Sequence, residues 1–195
     1  MKSLLLIPIV YFGMAFTTLK PVLVNEKVVK IANESELTIS GSTNINRFEC
    51  NYKIEKLTGP ITVVYQRNQK SLDFRQTVLK LDNNCFDCGS KPINRDFNIL
   101  VKSDQHPRIL LKIDKVLNIG GTEADVLTDI KIAGITKSYR VPVGITKLNG
   151  NNLKVSGVLK LNISDFKLEP PKKMFGIIKV DDIINIDFRL ILKDT

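Results

Sequence analysis

Residues 123–163, EADVLTDIKIAGITKSYRVPVGITKLNGNNLKVSGVLKLNI, decide the fold. Three runs within them alternate apolar and polar side chains. Val126, Thr128, Ile130 and Ile132 share one face, Asp125, Asp129 and Lys131 the other, and Leu127 is the break. Tyr139, Val141, Val143 and Ile145 alternate with Arg140, Pro142, Gly144 and Thr146. Leu153, Val155, Gly157, Leu159, Leu161 and Ile163 alternate with Lys154, Ser156, Val158, Lys160 and Asn162. A strand points successive side chains to opposite faces, so each run has a greasy side and a wet side. Ala133-Gly134-Ile135-Thr136-Lys137 and Asn149-Gly150-Asn151-Asn152 join the runs, and Gly and Asn supply the positive backbone angles that hairpins need. The spacing predicts an antiparallel meander with one buried side.

The same rhythm extends in both directions. Val28–Ile31 and Leu37–Ser40 read as short strands, the second ended by Gly41. Phe48, Cys50, Tyr52 and Ile54 share a face; Ile61–Tyr65, Leu72–Leu81 and the set Ile109, Leu111, Ile113 follow. Ile184, Ile186, Phe188, Leu190 and Leu192 form the last inward set. Asp82–Pro107 breaks the rhythm: Asn94–Leu100 is predicted as a short helix capped by Asn94 and closed by His106-Pro107. The result is about eight or nine strands with one wet face each, which antiparallel sheets tolerate and parallel ones do not. Closure into a barrel removes exposed edges. A β-sandwich is the competing architecture, and periodicity alone does not separate the two.

The chain has 195 residues, 43% of them hydrophobic and 25% charged, which fits one globular domain with a real core. A single His and no Trp remove many catalytic and metal-binding options. The net charge of +9 admits an anionic partner, but no Lys/Arg cluster interleaves with aromatic residues, so nucleic acid is not expected. Residues 1–18 read as a secretory signal: Met1-Lys2 is basic, Ser3–Phe16 is apolar, and Ala15 and Thr17 are small residues at the positions a signal peptidase inspects. A single domain is then expected over 28–195, periplasmic or secreted. Of Cys50, Cys85 and Cys88, two are expected to form one structural bridge, Cys50–Cys88 or Cys50–Cys85, with the first preferred and an odd thiol left over.

Several blocks, in order, resemble the YceI-like family of secreted, lipocalin-like barrels. They are Gly41–Phe48; Cys88-Gly89 with Asn94–Phe97 and His106-Pro107-Arg108-Ile109; Ala133–Lys137 with Val141-Pro142-Val143; and Asp165-Phe166 with Pro170-Pro171 and Val180-Asp181-Asp182. The resemblance covers roughly Leu37–Leu192. The paired cysteines are similar to a variant seen among secreted members. The resemblance implies an all-β, extended eight-stranded antiparallel barrel with one or two short helices. It also implies an apolar tunnel holding a long isoprenoid, quinone or other lipid, with no covalent chemistry and no other cofactor. The lining it points to is Phe97, Ile109, Leu111, Tyr139, Val141, Val143, Leu159, Leu161, Phe166 and Phe188. Such a wall offers few hydrogen bonds and suits a hydrocarbon tail, whose burial gains about 0.8 kcal/mol per CH₂.

An empty pocket of ~300 Å³ would cost roughly 7 kcal/mol, comparable to the whole stability of a domain, so a real cavity must be occupied or tolerated for a function. The alternative is a secreted binding or structural module with a filled core, acting through its basic outer surface. An enzyme is not expected, because His106 precedes Pro, has no nucleophile or orienting partner, and reads as a surface turn residue. Asp181-Asp182 reads as a turn rather than a cation site. Lys167, Lys172, Lys173 and Lys179 read equally as a patch that steers the protein to an anionic membrane surface near a barrel mouth and as a solvated loop. A homodimer is left open.

Overall fold

The computed structural model describes residues 24–57, 59–170 and 179–194. The expected signal segment and Lys172 and Lys173 lie outside them. The described residues form eleven ladder segments in one antiparallel sheet: β1 Val24–Ile31, β2 Glu36–Ser42, β3 Arg47–Tyr52, β4 Ile61–Arg67, β5 Ser71–Asp82, β6 Phe86–Asp87, β7 Arg108–Leu117, β8 Glu123–Ile132, β9 Ile135–Lys147, β10 Leu153–Asn162 and β11 Ile183–Asp194. One α-helix, α1 Lys91–Leu100, precedes β7.

Six of these segments are pieces of three longer strands. β1 and β2 run end to end along β11, pairing from Val29–Asp194 to Ile31–Leu192 and again from Glu36–Arg189 to Ser40–Asn185. Residues 32–35 bulge out between them. Ala32 N–H donates to Ile191 O at 2.8 Å, and Ser35 Oγ accepts from Ile191 N–H at 2.9 Å. Both backbone groups of Ile191 are therefore satisfied across the break, which explains why Ser35 is buried. β3 and β4 continue each other in the same way on β2 and β1, and β5 and β6 on β4 and β3. The breaks at 53–60 and 83–85 are neighbours, joined by Lys53 N–H to Cys85 O at 2.9 Å.

Counted this way, eight antiparallel strands pair up and down in chain order, and the β1–β11 ladder closes the ring. Over the described residues the fold is all-β, a closed eight-stranded antiparallel barrel with a single short helix, and the sandwich alternative falls away. One end carries α1, the 43–46 turn, the 133–134 turn and the segment after β10. The other carries the turns at 68–70, 118–122 and 148–152.

Local differences from the sequence reading have physical causes. β1 begins at Val24, four residues before the strand start expected at Val28, because Val24–Val29 pair with β4. Gly41 does not end β2. A Cβ there would lie 2.5 Å from Phe48 Cζ, so the glycine makes room for a ring packed across the strand. α1 starts at Lys91, with Ser90 as its cap and Pro92 in its first turn. Asn94 is not the cap; its Oδ1 accepts from Cys88 N–H at 2.6 Å and its amide donates to Asp87, pinning the helix to β6. The turn before β9 is only Ala133-Gly134, both at positive φ. A Cβ on Gly134 would sit 2.9 Å from His106 Cε1, so His106 lies half-buried over this turn rather than at the surface.

The Cys50–Cys88 bridge forms, and Cys85 is free. It ties β3 to the residues that enter α1. Tyr52 meets Phe86 edge-on at 4.9 Å, and Phe86 meets Phe97 at 5.0 Å, so an aromatic chain fills the helix end.

Candidate functional site

Packing inside the barrel is graded. At the helix end Leu161 and Phe166 are 0% exposed, Ile130 and Ile163 1%, and Cys50 2%. Toward the far end Leu72, Phe74, Val126, Ile145, Val155, Leu190 and Leu192 share the inward face, yet all are only half-buried. Ile31, Val116, Ala124, Val141 and Val143 are buried among them. These side chains face the barrel axis at the end away from α1.

The ten residues expected to line a tunnel divide along this gradient. Ile109, Leu161 and Phe166 belong to the packed end, and Phe97 contributes to it from α1. Val141, Val143 and Leu159 are buried on the inward faces of β9 and β10, and Leu111 and Phe188 are half-buried. Phe188 folds over Gly157, where a Cβ would lie 2.8 Å from its Cζ. Tyr139 is half-buried beside the 163–166 turn.

One wall differs from the others. β9 and β10 are bonded only from Gly144–Ser156 to Lys147–Leu153, although both strands run on toward the helix end. Ile145 N–H donates to Thr122 O at 2.7 Å, on the β8 side. Because successive residues of a strand bond to opposite neighbours, the even-numbered residues of β9 face β10. Pro142 is therefore the next residue due to donate, and it has no N–H. The ladder stops there, and a seam opens between 135–143 and 157–162. A 3-10 turn, Ile163–Phe166, fills the seam with side chains. Phe166 stacks on Tyr139 with centroids 6.2 Å apart, and Tyr139 OH donates to Asp165 Oδ2 at 3.1 Å. Burial first, and then the bond to Asp165, push the Tyr139 phenol up to about 12. A cleft of about 500 Å³ lies at the head of this seam, lined by Asp125, Pro142 and Ser156 and also by Ala124, Val143 and Gly157 among others.

A polar row crosses the interior. Thr77 pairs with Ile113, Ile113 with Thr128, and Thr128 with Tyr139, and side chains directly opposite share a face. Thr128 is 3% exposed and its hydroxyl donates to Lys112 O at 2.8 Å. Thr77 is 7% exposed and its hydroxyl has no protein partner. A buried polar group left in that state costs about 1–3 kcal/mol. A threonine in a strand is ordinary, so nothing in the sequence singles out Thr77. Asp165 was legible only as part of a motif.

The remaining candidates are structural. Asp181 accepts from Ser42 Oγ and its N–H donates to Ser42 O at 2.9 Å, clamping β2. Among the described residues no group of three or more His, Cys, Asp or Glu side chains is placed to hold a metal. Many outer cations are met by carboxylates, including Arg140–Asp125, Lys112–Asp114, Lys115–Asp73 and Arg189–Glu36.

The profile of the YceI-like domain family matches residues 32–192. Comparison with curated proteins by sequence finds no match. Among solved structures, BcnA of Burkholderia cenocepacia is 20% identical, with a TM-score of 0.59 over 81% of this chain and 96% of its own. A polyisoprenoid binding domain from Saccharophagus degradans, implicated in plant cell wall breakdown, is 12% identical, with a TM-score of 0.63 over 86% of this chain and 98% of its own. A YceI protein of Campylobacter jejuni is 15% identical, with a TM-score of 0.54 over 100% of this chain and 99% of its own. At these identities the likeness is one of fold, and the profile match carries the assignment: the chain is a member of the YceI-like domain family.

Proposed function

We propose that this protein is a non-enzymatic carrier that holds one long-chain lipid, an isoprenoid, quinone or fatty chain, inside the barrel. The observation that carries the reading is the ring of inward apolar side chains left half-buried toward the far end. A side chain that faces the axis of a closed barrel and keeps part of its surface free borders space. Space walled by Leu, Val, Ile and Phe favours hydrocarbon over water. The packed helix end would act as a floor. The β9–β10 seam, shut by side chains rather than by backbone bonds, is the way in and out of the wall. The polyisoprenoid binding ascribed to the Saccharophagus domain agrees with this class of ligand.

The protein would work in the periplasm or outside a bacterial cell, where the Cys50–Cys88 bridge persists. Ion pairing on the outer face weakens the alternative of a solid module acting through its basic surface. Mass spectrometry of an organic extract of the purified protein tests the carrier reading. One co-purifying long-chain lipid per barrel is expected. Extracts that repeatedly lack any apolar molecule, together with failure to take up added lipid, overturn it.

A further inference from the structure

We infer that Thr77 is the residue that selects the polar end of the lipid, and that it takes an uncharged oxygen, the hydroxyl or carbonyl of a long-chain alcohol or quinone. This rests on the carrier reading and narrows it. Thr77 shares its face with Leu79 and Leu81, the second of which is 4% exposed in the core. Its neighbours on that face and across the ladder, Leu79, Leu111 and Ile113, are all half-buried. Thr77 thus stands where the packed end gives way to the half-buried walls. The β5–β7 register shifts between Asp73 and Thr77, and Gln76 has φ 59. Such a bulge re-aims the side chain that follows it.

Thr128 serves as an internal control. It occupies the same row and the same face, and its hydroxyl is spent on the Lys112 carbonyl. The Tyr139 hydroxyl is spent on Asp165. Thr77 alone in the row keeps a buried hydroxyl with no protein partner. A single neutral hydroxyl can bond a hydroxyl or carbonyl, but it cannot compensate a buried phosphate or carboxylate. The row therefore favours a neutral head over an ionised one.

The test compares three probes on the full chain stripped of lipid: a long-chain prenol, the hydrocarbon of the same carbon count, and the prenyl monophosphate. Thr77→Val removes the hydroxyl at constant shape and is expected to weaken prenol binding about tenfold while changing hydrocarbon binding less than about twofold. Thr77→Ser keeps the hydroxyl and is expected to keep the prenol preference. If Thr77→Val fails to fold, Thr77→Ser against Thr77→Ala gives the same comparison. Equal losses for prenol and hydrocarbon, no loss for either, or phosphate binding tighter than prenol in the wild type would each overturn the assignment. Wild-type protein that takes up neither prenol nor hydrocarbon overturns the carrier reading and this one with it. Uptake of both that ignores Thr77 overturns this one alone.

Discussion

Tyr139 of β9 and Phe166 of the turn after β10 stack nearly parallel, at an interplanar angle of 16°, across a seam that backbone hydrogen bonds leave open. A barrel wall is normally sealed by its ladder, in which each bond is short and directional. Here a ring pair and one phenol–carboxylate bond take over that task. Side-chain contacts can part without breaking a strand pairing, so this wall is the cheapest to open.

Two substitutions separate the seal from the core. Tyr139→Phe keeps the ring and removes the bond to Asp165, at a cost of about 1 kcal/mol in denaturant unfolding, with bound lipid released several-fold faster. Phe166→Ala empties a site that is 0% exposed and is expected to cost about 3–5 kcal/mol. Stopped-flow lipid transfer and equilibrium unfolding measure the two effects. A Tyr139→Phe protein that is less stable but releases lipid at the wild-type rate would remove the seam from the mechanism.

Alkali should weaken the fold through two phenols. Burial pushes both Tyr52 and Tyr139 up to about 12, against 10.0 for the free group. The folded chain holds these protons more tightly than the unfolded chain. Their contribution is therefore whole below the unfolded value and is lost as pH climbs from about 10 through about 12. For Tyr52, 5% exposed, the loss is on the order of 2–3 kcal/mol, and solvent screening makes it smaller for half-buried Tyr139. Unfolding free energies across that window, with spectroscopic titration of tyrosinate, check the slope. Tyr52→Phe should flatten it more than Tyr139→Phe.

The Cys50–Cys88 bridge spans a sequence separation of 38. In the loop-entropy account, closing such a loop in the unfolded chain contributes about 4 kcal/mol. The paired change Cys50→Ser with Cys88→Ser should lower stability by that order, and reducing agent should do the same to the wild type. Cys85→Ser should leave both the bridge and its reductant sensitivity unchanged. Unfolding curves with and without reductant decide this.

Most of the wall was legible because its signal is local. The period of two along β8, β10 and β11 reports which side chains face inward, and the hairpin glycines report where the chain turns. What was not legible needs a partner distant in sequence. Gly41 looks like a strand end until Phe48 is known to lie over it. Asn94 looks like a helix cap until Cys88 and Asp87 are known to use it. The breaks at 32–35, 53–60 and 83–85 make three long strands read as six short ones. Thr77 and Thr128 are the same residue type in the same kind of run, and only the presence of the Lys112 carbonyl beside one of them separates their roles.

Pro142 and Gly157 set the seam's width from opposite sides. Pro142→Ala supplies an N–H directed at β10, so the ladder should gain a bond beyond Gly144–Ser156. That bond contributes about 0.5–1.5 kcal/mol, while loss of the proline's restraint on the unfolded chain takes back about 0.4–1 kcal/mol. Net stability should therefore hardly move, but the amide introduced by Pro142→Ala should resist hydrogen exchange and lipid release should slow several-fold. Gly157→Ala works the other way. Its Cβ would come within 2.8 Å of the Pro142 carbonyl oxygen and of Phe188 Cζ, and the backbone oxygen cannot swing aside as a side chain would. The strands must separate, at about 1–3 kcal/mol, and release should quicken. If the introduced amide exchanges like one in an exposed loop, with release unchanged in both variants, the proline is incidental and the opening lies at another wall.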